Sequence, residues 1–198
     1  MVGNIPNYTP VDILRAFLLV EDGISRAEIK KKLSLGEGSV RSILNNLKIK
    51  GIITSSKEGH KLTEKGRDIK KEFYQEIGEF KNIHLKELNP LFKRGVVVKN
   101  FDTKRSSIEL RDIAIKNNAD GALILRYGKD LEMPDSEVDF FKNFRESYEE
   151  LLNAFDINPG NTLVVVFAKS QSLATNALLA LVVAMNTKIR KIYEQLVS

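Results

Sequence analysis

Between Gly38 and Gly51, Val40, Ile43, Leu44 and Leu47 recur at i, i+3, i+4 and i+7. That spacing lines one face of an α-helix and no face of a strand. A helix of this kind must bury its apolar face on neighbouring elements, so the segments around it restrict the fold. The predicted helix runs from Ser39 to about Lys50, where Gly51 ends it. Ahead of it, Ser25-Arg26-Ala27-Glu28 has the form of a capping box. The helix it opens is expected to bury Ala27, Ile29 and Leu33 and to expose Lys30, Lys31 and Lys32. Leu35-Gly36-Glu37-Gly38 is a turn of the length that joins the helices of a helix-turn-helix. Earlier still, Thr9-Pro10 supplies an N-cap and a first-turn proline. Val11, Leu14, Phe17 and Leu18 follow at helical spacing up to Gly23.

After Gly51 the period changes. Ile52–Ser55 reads as a short strand, Lys57-Glu58-Gly59-His60 as a turn, and Lys61-Leu62-Thr63 as the returning strand. Thr63-Glu64-Lys65-Gly66-Arg67 opens a long fourth helix with the stripe Ile69, Phe73, Ile77 and Phe80, and Asn89-Pro90 breaks it.

The segments SRAEIKKKLSLGEGSVRSILNNLKIKGIITSS and KLTEKGRDI, within about residues 9–80, resemble a winged helix-turn-helix. The resemblance implies that the third helix enters the DNA major groove and that its outward face reaches base edges. At about 100° per residue the face opposite the apolar stripe holds Gly38, Ser42, Asn45 and Ile49, flanked by Arg41, Asn46 and Lys48. Arginine can fork onto guanine, asparagine can bond bidentately to adenine, and serine can donate or accept. Gly36 and Gly38 would let the helix start approach a phosphate, with Ser39 in its first turn. Lys30, Lys31, Lys32, Lys57 and Lys61 would contact phosphates without reading sequence. His60, expected at the wing tip, is either a groove or phosphate contact or a plain turn residue; His84 receives no role. An ordinary solvated helix face would present the same residues as Arg41, Asn45 and Asn46 do.

Charge follows the same division. Residues up to Arg94 carry 18 Lys and Arg against 12 Asp and Glu, net +6; the remainder carries 13 against 14, net −1. A basic module beside a neutral one suits a polyanion-facing part joined to a part with another task, although a lysine-rich proteome produces solvated basic surfaces too. Lysine outnumbers arginine 21 to 10 and cysteine is absent. This composition fits a thermophile, and an AT-rich genome gives a similar bias. Without cysteine there is no disulfide scaffold, thiolate metal site or cysteine nucleophile. Two histidines do not make a multi-histidine metal site.

The opening MVGNIPNYTP lacks the pattern of a secretory signal. Ala177–Met185, the longest apolar run, has nine residues, against about 20 needed to span a bilayer. The expectation is a soluble cytoplasmic chain with no membrane partner.

Beyond Arg94 the strand candidates are Gly95–Val98, Ala122–Leu125, Leu131–Met133 and Leu163–Phe167. Helices are expected after Ser106 (a capping box with Glu109), from Pro134-Asp135-Ser136 through Val138, Phe141, Phe144, Tyr148, Leu151 and Leu152, and from Ser170 to about Thr187. The fold class is therefore α+β. A winged helix-turn-helix domain over residues 1–90 precedes a two-layer α/β sandwich of order βαββαβα over 91–198. The layout is similar to an archaeal family of winged-helix transcriptional regulators. In fold alone, the second domain is also similar to the small α+β domain inserted in bacterial-type aspartyl-tRNA synthetases.

Ser170-Gln171-Ser172, after the strongest strand, is a weak candidate for an anionic ligand, with N-capping as its alternative. Lys104-Arg105-Ser106-Ser107 is a similar case. Asp130, Glu132, Asp135, Glu137 and Asp139 could hold Mg²⁺ or form a solvated edge. No catalytic residue, metal site or cofactor is expected. The Ile69, Phe73, Ile77, Phe80 stripe, with Tyr74 beside it, is either a dimer seam or packing within the chain. The function expected is that of a homodimeric regulator binding double-stranded DNA, with a small-molecule effector or dimerisation role for the second domain. The alternative is a protein–protein or RNA-associated adaptor.

Overall fold

The computed structural model describes residues 7–88, 91–101 and 104–198. The expected break at Asn89-Pro90 and the first six residues of the opening stretch lie outside the described residues. The chain is mixed α/β and divides into two compact units: Met1–Glu72 with Lys191–Ser198, and Phe73–Arg190. This division into compact units falls inside the fourth helix, and the last eight residues go with the first unit.

In the first unit, α1 (Pro10–Leu19) starts at Thr9, whose capping box is completed by Asp12. The Ser25 capping box with Glu28 opens α2 (Arg26–Leu33). Ser34 turns the chain in the left-handed conformation at φ 58°. α3 (Glu37–Ile49) then begins two residues earlier than its pattern suggested, with Gly36 as N-cap and Gly38 inside its first turn. The three helices pack on one another around Leu14, Phe17, Ile29, Leu33, Val40, Ile43 and Leu47, all buried. Ala27 is exposed, contrary to expectation. It lies about 200° around the helix from Ile29, so both cannot face one core.

β1 (Ile53–Ser56) and β2 (Gly59–Leu62) form an antiparallel hairpin with Lys57-Glu58 as its tip. His60 is therefore not at the tip. It sits within β2 opposite Ser55, and on its other side it bridges Ile24. The His60 N–H donates to the Ile24 carbonyl at 2.8 Å, so the segment before α2 adds a third, one-residue strand that the sequence pattern did not indicate.

α4 (Glu64–Glu76) is shorter than expected. Ile77 leaves the helix to bridge Val98, and Phe80 precedes an unforeseen strand, β3 (Lys81–Ile83). Ile69, Phe73 and Ile77 are buried within the single chain. These three residues of the stripe thus pack within the chain, while Phe80 is half-buried and Tyr74 is 39% exposed.

The second unit is built on a five-stranded sheet in the order β3-β4-β7-β5-β6, every neighbouring pair antiparallel. Its other strands are β4 (Phe92–Val98), β5 (Gly121–Tyr127), β6 (Leu131–Glu132) and β7 (Thr162–Ala168). α5 (Ser107–Lys116) and α8 (Gln171–Met185) cover one face. On the other face Val97, Leu123, Leu125, Leu163 and Val165 pack with Phe140, Tyr148 and Leu151 from α6 (Phe140–Asn143) and α7 (Arg145–Ala154). The unit therefore has three layers, not two. The run Leu163–Val166 is buried on both faces of β7, as an apolar run without alternation requires. The helix expected from Pro134 starts only at Phe140 and is interrupted at Phe144 (φ −139°). A final helix, α9 (Thr187–Val197), follows α8 after Asn186. Among the described residues no single helix is long and apolar enough to cross a membrane.

Candidate nucleic-acid interface

The outward face of α3 is set by its inward one. Burial of Val40, Ile43, Leu44 and Leu47 leaves Gly38, Arg41, Ser42, Asn45 and Lys48 exposed together. Ile49, at the same face's C-terminal end, is 86% exposed. Asn46 is half-buried, and its Oδ1 has no hydrogen-bond partner among the described residues. Ser39 is half-buried and donates its hydroxyl to the Asn7 carbonyl at 3.2 Å. A Cβ at Gly36 or Gly38 would meet nothing within 4 Å, so packing inside the chain does not demand glycine at either position.

The acid of this face is already engaged. Arg26 Nε holds Glu37 Oε1 at 2.7 Å, tying the start of α2 to the start of α3. Sequence reasoning had not singled out Arg26; its place directly after the Ser25 cap, across the turn from Glu37, is the signal that was available. The hairpin supplies further cations. Lys57 is exposed at the tip, and Lys61 is exposed in part and pairs with Glu58 at 2.8 Å. That pairing pulls the Glu58 carboxyl below its ordinary value and raises the Lys61 amine.

His60 lies where these elements meet. Its pKa is lowered first by burial and then by the positive charges of Arg26 and Lys48. Arg26 of α2 and Lys48 of α3 thus both lie close enough to act on this hairpin residue. Ser55 Oγ lies 2.9 Å from His60 Nδ1 and fixes the ring. Lys30, Lys31 and Lys32 are exposed along α2.

The candidates of the second unit are dispersed. Ser170 N-caps α8, its hydroxyl accepting the Leu173 N–H at 3.3 Å, with Gln171 and Ser172 in the first turn. Arg105 donates to the Ala184 carbonyl at 3.0 Å, and Ser106 completes the capping box of α5. Of the five acids around Pro134, Asp130 accepts the Tyr148 hydroxyl, which is raised to about 12 by that bond first and burial second. Asp135 accepts the Ser107 N–H, and Asp139 caps α6. Among the described residues no group of three or more His, Asp or Glu is placed to hold a metal ion.

The comparisons follow the same two parts. Residues 9–68 match the family model described as "PH0730-like, N-terminal domain", and residues 92–186 match that of a domain of unknown function, DUF4443. The chain is also similar in structure to the hypothetical protein PH0730 from Pyrococcus horikoshii OT3. The TM-score is 0.75 at 28% identity, over 93% of this chain and 99% of that one. No curated protein matches. Together the matches support an uncharacterised family of archaeal type, with an N-terminal helical part and a C-terminal sheet domain.

Proposed function

We propose that the first unit is a winged helix-turn-helix that binds double-stranded DNA, and that the protein is a transcriptional regulator acting by occupancy rather than catalysis. The observation that carries this reading is the outward face of α3. It presents Arg41, Ser42, Asn45 and Lys48 to solvent while its acid, Glu37, is neutralised by Arg26. In this reading α3 is the recognition helix, Arg41 and Asn45 contact base edges, and the β1–β2 hairpin is the wing. Lys57 and Lys61 then hold phosphates. The second unit serves effector sensing or self-association.

The test is binding of the full chain to fragments selected from its source genome. Arg41→Ala and Asn45→Ala should each weaken the selected site by about 1–3 kcal/mol, or roughly 5- to 150-fold, with unchanged thermal unfolding. Affinity should fall steeply with salt. Full affinity in both variants would reject the recognition face. A second reading, a protein-binding adaptor, is favoured by Ile49, a large apolar side chain left 86% exposed on the same helix. An apolar protein contact would be nearly indifferent to salt and would be lost in Ile49→Lys.

A further inference from the structure

α5 is held to the second unit by Leu110 and Ala114, which are buried. At about 100° per residue, the direction opposite that pair belongs to Asp112, and about 40° and 60° to one side of it stand Ile108 and Ile115. They are 57% and 47% exposed. A single exposed isoleucine is ordinary. Two of them seven residues apart on one helix face have the spacing of equivalent positions in successive heptads of a two-stranded seam. Arg111 and Asp112 lie between them in sequence, one on each flank of the same face, and both are exposed. Neither is in a salt bridge among the described residues.

We propose that this face binds α5 of a second copy of the chain, the two helices running parallel about a twofold axis along the seam. Symmetry selects the orientation. An axis along the helices carries the Arg111 flank of one copy onto the Asp112 flank of the other, at heights differing by one residue's rise, about 1.5 Å. Two reciprocal Arg111–Asp112 pairs then bracket Ile108 against Ile108 and Ile115 against Ile115. Turning one helix antiparallel sets Arg111 against Arg111 and Asp112 against Asp112, and like charges repel. The face is self-complementary in the parallel arrangement alone, as an isologous contact demands. A seam of ten residues is short, so the dimer is concentration-dependent rather than obligate. The inference does not rest on the DNA-binding reading.

Sedimentation of the full chain over a concentration series tests it. The unmodified chain should pass from monomer to dimer, and Ile108→Asp with Ile115→Asp should remain monomeric at every concentration with an unchanged circular dichroism spectrum. Arg111→Asp should weaken the dimer by roughly 2- to 30-fold, as loss of two exposed ion pairs implies, and adding Asp112→Arg should restore it. Because the chain has no cysteine, Ile108→Cys gives a clean report. A parallel seam places position 108 on the axis, so this variant alone should oxidise to a covalent dimer. A monomer throughout, a dimer insensitive to the paired aspartates, or cross-linking only when Ile108→Cys is mixed with Ile115→Cys would each overturn the proposal.

Discussion

A Cβ added at Gly66 would lie 2.2 Å from the carbonyl oxygen of Ile52. Gly66 is therefore fixed by close approach of α4 to the chain entering the hairpin, not by an unusual backbone angle. Thr63 closes the same joint, its Oγ1 donating to the Gly51 carbonyl at 2.7 Å and accepting the Gly66 N–H at 3.0 Å. Gly66→Ala should cost about 1–3 kcal/mol, the range for overpacking, read as a lower urea midpoint with an unchanged slope. Glu76 makes a second prediction. Burial alone would raise its pKa, but bonds from Lys188 (2.7 Å), Asn100 (2.7 Å) and Asn186 (3.1 Å) outweigh this and lower it. A carboxyl depressed in the folded state adds stability that is complete above its unfolded value of about 4.3 and is lost as pH falls through the folded value. Glu76→Gln should flatten that acid limb in unfolding measured from pH 6 to pH 3; an unaltered limb would show that other groups govern it.

At the level of elements, what could be read in advance was local. Both serine capping boxes, at Ser25 and Ser106, are present with their glutamates, because a capping box involves only four consecutive residues. The α3 stripe was legible for the same reason, and with it the exposed set Arg41, Ser42, Asn45 and Lys48. What failed depended on distant partners. Lys81–Ile83 is too short to show a period, and becomes a strand only through pairing with β4. Phe144 breaks one expected helix into two while its ring packs near Phe140. The second helical layer was hidden because a strand buried on both faces does not reveal what covers each. The one-residue strand at Ile24 was missed because its antiparallel bridge to His60 spans more than thirty residues of chain.

In the whole molecule, the chain passes between the units twice, each time inside a helix: α4 at Glu72 to Phe73, and α9 at Arg190 to Lys191. Asn186 anchors the second passage. Its Oδ1 accepts the Ile189 N–H at 3.0 Å to cap α9, and its amide donates to Glu76 near the end of α4. Ile192 and Leu196 are buried, and Lys50 Nζ reaches the Gln195 carbonyl at 3.2 Å. Deleting residues 191–198 should therefore raise hydrogen exchange in α3 and the hairpin, far away in sequence, and leave β4, β5 and β7 protected; the opposite pattern would contradict the division. The same path governs how the protein can be dissected. Any expression strategy that severs the chain at one point yields an N-terminal fragment stripped of its closing octapeptide. A faithful isolated version must graft that octapeptide back, in the manner of a circular permutant.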